Sequence, residues 1–249
     1  MEQSINIAAV SYLNTIPFLY GLEYSGLLPH AHLLIEHPAN CTKLLKEGKA
    51  QLGLVPVGGL IQLPGFGIVS DYCIGAIGKV HTVALYSKSP LEQIRQIHLD
   101  NESLTSVRLV RYLSQHYWKI NPEWLPIEKE INKNYADYDA VVLIGDKTFG
   151  LENQFPFVYD LAEQWKQHCG LPFVFAVWVA QEGIAQEQIN ALNAALKWGV
   201  QHITESVEYY PPRIEKSLAI SYLKNNISYP FDEEKEKGLH HFMEYLRTL

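Results

Sequence analysis

Cysteine is scarce in this 249-residue chain: Cys41, Cys73 and Cys169 are an odd number at wide spacing. That argues against a disulfide framework and against a cysteine zinc site, and it suits a reducing compartment. Positive charge is also in short supply, with 20 Lys and Arg against 27 Asp and Glu and a formal net charge of −7. A nucleic-acid binder carries a basic stripe, so no nucleic-acid partner is expected. No apolar run approaches the ~18 residues that span a bilayer. The opening Met-Glu-Gln-Ser-Ile-Asn lacks the basic-then-apolar start of a secretory leader. The expectation is therefore a cytoplasmic protein without a membrane partner. HExxH, CxxC, GxSxG and GxGxxG are absent as well, which weakens zinc-hydrolase, redox, serine-hydrolase and dinucleotide readings and leaves no cofactor or metal expected. His240 and His241 are adjacent, so they point apart and cannot form an i, i+4 metal pair.

What is present is apolar patterning. At 47% hydrophobic and 19% charged the chain can bury a sizeable core. Residues 5–11 form a short apolar run that reads as a buried strand, and Pro17 suits the first turn of a helix capped by Asn14 or Thr15. Residues 33–37 and 50–56 read as strands, with a helix from Asn40 to Gly48 between them. The order β-α-β-α-β implies parallel pairing through right-handed crossovers. Strands are expected next at 68–69, 80–86, 96–100, 140–146 and 171–180, with a helix at 103–118. Everything after Gly183 reads as helix, in segments near 186–204, 212–225 and 233–246. If the strands near residues 84 and 175 cross between lobes, the middle of the chain, 85–177, forms one lobe. Residues 1–84 and 178–249 then form the other. The fold class expected is a two-lobed α/β clamp with mixed sheets and a helical C-terminal tail, and its cleft is the default place for a small ligand.

Several strand ends face that cleft. Ser11 and Asn14 follow the first strand; they offer donors and acceptors without charge, although Asn14 also suits a cap. Val57 and Ser70 end strands in the same half. Ser103, Thr105 and Ser106 open a helix after the 96–100 strand, where the helix dipole makes a carboxylate or phosphate cradle; the plainer reading is an N-cap by Ser103 or Asn101. Gly145-Asp146 ends another buried strand, and Asp146 is either a helix cap or a base with a tuned pKa. Lys79 and His81 flank the supposed hinge strand and can supply local positive charge, or serve structure alone. The Tyr209–Pro212 turn and the tryptophans Trp165 and Trp198 read as packing.

The run Ala9-Val10-Ser11-Tyr12-Leu13-Asn14-Thr15-Ile16-Pro17 resembles the opening motif of the menaquinone-biosynthesis chorismate dehydratases of the futalosine pathway. The resemblance continues through Leu54–Val57, Pro64–Ile68, Ser70, Asp100–Val107, Leu143–Asp146 and Leu171–Trp178. It implies the fold of type II periplasmic binding proteins. Relatives that act as 1,4-dihydroxy-6-naphthoate synthases carry a Cys-Pro-Asn-Asp-Thr-like opening, whereas Tyr12-Leu13-Asn14-Thr15 favours the dehydratase. Leu104 stands where many relatives have a basic residue, so Lys79 or Arg108 would have to take that part. The resemblance implies loss of water from chorismate to give 3-[(1-carboxyvinyl)oxy]benzoate, a lyase reaction without redox cofactor or metal. Ser103, Thr105 and Ser106 would hold one carboxylate of this small dicarboxylate partner, and Ser11 and Asn14 would orient the ring hydroxyl or the enolpyruvyl group. The proton would go to Asp146 or to the substrate's own enolpyruvyl carboxylate. A monomer or homodimer suffices for such a site. A non-catalytic solute-binding protein would share the same cleft and anion cradle.

Overall fold

The computed structural model describes residues 4–100, 102–127 and 134–249, except for the side chain of Ala39; Asn101, one of the expected caps, lies outside the described residues. β1 (Ile5–Val10) carries the first apolar run, and its last four residues are fully buried. α1 (Ile16–Tyr24) starts with Pro17 in its first turn, as expected. Neither expected cap acts on it: the Thr15 hydroxyl donates instead to Asn14 Oδ1 at 3.0 Å. β2 (Ala31–Glu36), α2 (Pro38–Lys46) and β3 (Leu52–Pro56) follow, and β1 pairs in parallel with both β2 and β3. Asn40 does not cap α2. Pro38 starts that helix, and the Asn40 amide donates to Glu36 Oε2 at 3.0 Å. β4 (Phe66–Ala76) is one long strand rather than the short piece expected at 68–69. Its first half is mostly exposed and carries Ser70 and Asp71, so no apolar run marks it.

The chain then builds a second sheet from β5 (Val83–Ser87) and β6 (Gln96–Leu99), with α3 (Leu104–Leu113), β7 (Glu123–Pro126), β8 (Ala140–Ile144) and β9 (Phe157–Asp160). The sheet order is β7-β6-β8-β5-β9, with β6 parallel to β7 and β8, and β5 antiparallel to β8 and β9. β7 and β9 are four-residue edge strands of mixed polarity, which is why the sequence hides them. α3 stops at Leu113 and widens into a π-type turn over Ser114–Trp118, earlier than the expected end at Trp118. Asp160 ends β9 and caps α4 (Leu161–Cys169), accepting from Ala162 N and Glu163 N at 3.1 Å each.

β10 (Phe173–Gln181) returns to the first sheet, running antiparallel between β3 and β4. Four helices then follow, α5 (Gln186–Gln201), α6 (Ile203–Tyr209), α7 (Lys216–Asn225) and α8 (Glu233–Leu246), and the expected all-helical tail is interrupted by β11 (Ser228–Pro230). β11 is the edge strand beside β4, where the missing N–H of Pro230 breaks no ladder. The first sheet runs β11-β4-β10-β3-β1-β2. β5 and β10, the strands expected to pass between lobes, each pair inside a single sheet. α5 packs on α1 so closely that a Cβ on Gly199 would sit 1.9 Å from the Pro17 carbonyl oxygen. One large core joins both sheets, and a smaller cluster around Tyr86, Tyr138 and Phe155 backs the second. Among the described residues no helix is long and apolar enough to cross a membrane.

Candidate active site

The carboxyl ends of β1, β3, β6 and β8 converge on the space between the two sheets, the place where open α/β sheets present ligands. A cavity there is lined on its polar side by Tyr12, Asn14, Thr15, Thr82, Ser103, Ser106 and the backbone of Gly145. Val10, Leu54, Pro56, Ile74, Val83 and Phe175 supply apolar walls. Among the described residues no Asp, Glu, Lys, Arg or His lines it. Hydroxyls, an amide and a helix terminus must therefore do whatever recognition occurs inside.

Ser103 and Ser106 come from the start of α3. Ser103 Oγ accepts from Ser106 N at 3.2 Å and lies 3.0 Å from Ser106 Oγ. The capping and anion-binding readings of this segment thus describe the same atoms. One hydroxyl proton is shared between the two oxygens, leaving the other to donate into the cavity. The positive end of the helix dipole adds to that donor. Thr105 is differently placed: it is buried, its Oγ1 accepts from Gly58 N at 3.0 Å and donates to Phe175 O at 3.3 Å. It fastens α3 to the first sheet and does not line this cavity. Arg108 does the same by donating to Gly58 O.

Asn14 and Thr82 form the opposite wall. The Tyr229 hydroxyl donates to the Asn14 carbonyl oxygen at 3.1 Å, and the Tyr222 hydroxyl pairs with Thr82 Oγ1 at 2.8 Å. Gly145 closes the floor. Its φ of 72° is the left-handed region that glycine tolerates best, its N–H donates to Thr82 O at 2.8 Å, and a Cβ there would lie 3.6 Å from the Tyr12 ring.

Tyr12 and Ile144 divide this cavity from a broad groove at the mouth of the cleft, lined by Ser11, His37, Glu102, Asp146, Lys147 and Arg213, with Tyr209–Pro212 on its rim. Ser11 and Asp146 thus face the groove, not the cavity. Asp146 caps no helix of its own; its Oδ1 accepts from Leu13 N, at the start of a short helix in the opposite lobe, at 3.3 Å. Asp146 as a residue is exposed to solvent, yet neighbouring protein takes part of the hydration from its carboxylate. That loss of hydration raises the carboxyl above its usual value, tempered by the Leu13 N–H and the charge of Arg213. Lys147 reaches Asp100 Oδ2 at 2.6 Å and Glu102 Oε2 at 2.8 Å. Burial works against its charge, but those two carboxylates outweigh it and raise the ammonium above its usual range.

The other expected positions lie elsewhere. Val57 is fully buried as the first residue of the turn that follows β3. Ser70 donates to Asn193 Oδ1 at 2.7 Å and ties β4 to α5. Lys79 pairs loosely with Glu163 at 3.8 Å, and His81 lines the same separate pocket near the link between the sheets. Leu104 is partly exposed and lines neither cavity nor groove. Sequence reasoning missed Thr82, Tyr222 and Tyr229. A threonine beside the supposed hinge strand and two tyrosines in a helical tail carry no local signal, because only the tertiary fold brings them to Asn14. Among the described residues no three His, Cys, Asp or Glu side chains come together as a metal site would require.

Solved structures of low sequence identity share the fold. A structural-genomics protein of Archaeoglobus fulgidus superposes with a TM-score of 0.78 at 14% identity, covering 98% of this chain and 97% of that one. A Candida albicans protein described as having the generic periplasmic binding protein fold gives 0.66 at 10% identity, covering 99% and 91%. The two-sheet architecture is therefore that of periplasmic binding proteins. In sequence, the chain is 28% identical over 260 residues to a chorismate dehydratase of Thermus thermophilus, spanning 92% of this chain and 95% of the relative. A family described as "Menaquinone biosynthesis" matches residues 5–248, essentially end to end, and the chain belongs to that family.

Proposed function

We propose that the chain is a chorismate dehydratase, eliminating water from chorismate to give 3-[(1-carboxyvinyl)oxy]benzoate. The observation that carries the proposal is the cavity itself: an uncharged set of donors at strand carboxyl ends, with the start of α3 on one wall and Asn14 on the other. The similarity to the Thermus thermophilus dehydratase supports the same reading.

The reaction removes the C3 proton and the C4 hydroxyl of the ring; the new C3–C4 double bond completes an aromatic ring, which drives the step. In this proposal the Ser103–Ser106 pair and the first turn of α3 hold one carboxylate. Asn14 and Thr82 orient the departing hydroxyl. Because no carboxylate lines the cavity among the described residues, the proton passes in this proposal to the substrate's own enolpyruvyl carboxylate. Asp146, on the groove side of Tyr12, is assigned to holding the lobes closed. The closed lobes exclude water and keep a reactive diene in one conformation.

The test is direct. Purified protein is incubated with chorismate, and the products are separated and weighed by mass spectrometry. Appearance of the enolpyruvyl benzoate with one equivalent of water lost is expected. Unchanged chorismate at high protein concentration, bound tightly nonetheless, would replace the proposal with a solute-binding protein.

A further inference from the structure

We infer that two buried tyrosines of the C-terminal tail, Tyr222 of α7 and Tyr229 of β11, are positioning residues that aim Asn14 and Thr82 into the cavity. The inference rests on the proposed function for its catalytic readout, while the geometry stands apart from it. Tyr229 OH donates to the Asn14 carbonyl at 3.1 Å. Tyr222 OH lies 2.8 Å from Thr82 Oγ1. Thr82 in turn accepts from Gly145 N through its carbonyl at 2.8 Å. Asn14 follows β1 in the first sheet, Thr82 lies on the link between the sheets, and Gly145 ends β8 in the second. Two phenol hydroxyls thus tie together three walls of one cavity.

Neither tyrosine lines that cavity, so neither touches a ligand inside it. Both side chains are almost wholly buried, at 3% exposure each. Burial drives both phenols well above their usual pKa, and the neighbouring Asn14 amide and Thr82 hydroxyl only partly offset this for Tyr222. They therefore remain neutral at any working pH. The Asn14 side chain needs such support: Thr15 already occupies its Oδ1 at 3.0 Å, and its amide N–H groups, which lie beside the Tyr222 hydroxyl, are the donors it has left. A small rotation of Asn14 would turn those donors away from the ligand. The tail is thereby a part of the site, although it contributes no wall.

The experiment compares wild type, Tyr222→Phe, Tyr229→Phe and the control Ser221→Ala, whose side chain lies on the exposed face of α7. The protein is labelled with 15N-asparagine, and the Asn14 side-chain amide cross-peaks are assigned by their loss in Asn14→Ala. Both Phe variants are expected to shift or broaden those cross-peaks. They are also expected to lower kcat for chorismate by roughly tenfold to a hundredfold, with KM changed far less. The melting midpoint should fall by only ~2–4 °C, the scale of one lost hydrogen bond in a chain of this size. Ser221→Ala should match wild type in every reading. Unmoved Asn14 cross-peaks in both Phe variants overturn the inference, whatever the rates. If wild type leaves chorismate unchanged, the proposed function fails on its own, and the cross-peaks alone decide the positioning. Should one Phe variant not fold, the other carries the test, since the two hydroxyls hold different atoms.

Discussion

The backbone N–H of Leu13 donates to Asp146 Oδ1 across the cleft at 3.3 Å, joining the loop after β1 to the end of β8. Beside it, Tyr12 OH contacts Glu102 Oε2 at 3.4 Å. On the far side of the cavity, Thr105 and Arg108 grip the backbone of Gly58. The lobes are therefore joined by hydrogen bonds at both places.

The Asp146 carboxyl gives a pH-dependent prediction. Its folded-state pKa lies above the ordinary 3.8, so protons bind the folded chain more tightly than the unfolded one. The group favours folding below pH 3.8, and that contribution is lost as pH rises through the raised folded pKa. Asp146→Asn keeps an oxygen for Leu13 N and removes the titration. Melting scans between about pH 3 and 7 should show the variant matching wild type at the acid end and gaining on it towards neutral. The gain is expected to be small, because water still reaches the carboxylate. Turnover should survive, since the proton acceptor proposed is the substrate; loss of turnover with an intact fold would return Asp146 to the role of base.

Gly58→Ala should force the lobes apart. A Cβ at that position would sit 2.7 Å from Thr105 N and 2.9 Å from the Leu104 carbonyl carbon, both backbone atoms with little room to give. A destabilisation of about 1–3 kcal/mol is expected from overpacking, with a larger radius of gyration by small-angle scattering. An unchanged radius with unchanged melting would show that the contact yields without opening the cleft.

Ser103 and Ser106 should separate in their effects. Ser103→Ala removes the cap on α3, which costs about 1 kcal/mol, or roughly 2–4 °C in melting midpoint. Ser106→Ala leaves that cap in place, because Ser106 N donates to Ser103 Oγ whatever its own side chain. Its midpoint should stay close to wild type while substrate affinity or turnover falls. Equal thermal losses in the two variants would mean that the pair serves only to cap.

Lys147→Met leaves Asp100 without its cation, and the Asp100 side chain is only 6% exposed. Removing one partner of a fully buried pair costs ~3–5 kcal/mol. About 2–3 kcal/mol is expected here, since Lys147 still reaches water. Adding Asp100→Asn should recover most of that loss in denaturant titrations; no recovery would place the cost in lost packing.

The sequence by itself determined the parts of this protein whose physics is local. The apolar runs became β1, β3, β8 and β10 because a strand buried on both faces needs only continuous hydrophobic residues. Pro17 and Ser103 marked helix starts through their backbone and side-chain chemistry. The resemblance in the Ser11–Pro17 segment reached the family that the whole-chain match then showed. Edge strands such as β7, β9 and β11 were hidden because pairing with a neighbour, not their composition, makes them strands. The tertiary structure alone decided which strand ends meet. It put Asn14, Ser103, Ser106 and Gly145 around one cavity and turned Ser11 and Asp146 to the groove. It spent Thr105 and Ser70 on packing contacts. It also recruited Thr82, Tyr222 and Tyr229 from distant parts of the chain. A residue's place along a strand is set by its neighbours in sequence, but the direction its side chain faces across a cleft depends on the closure of two lobes, which no local pattern encodes.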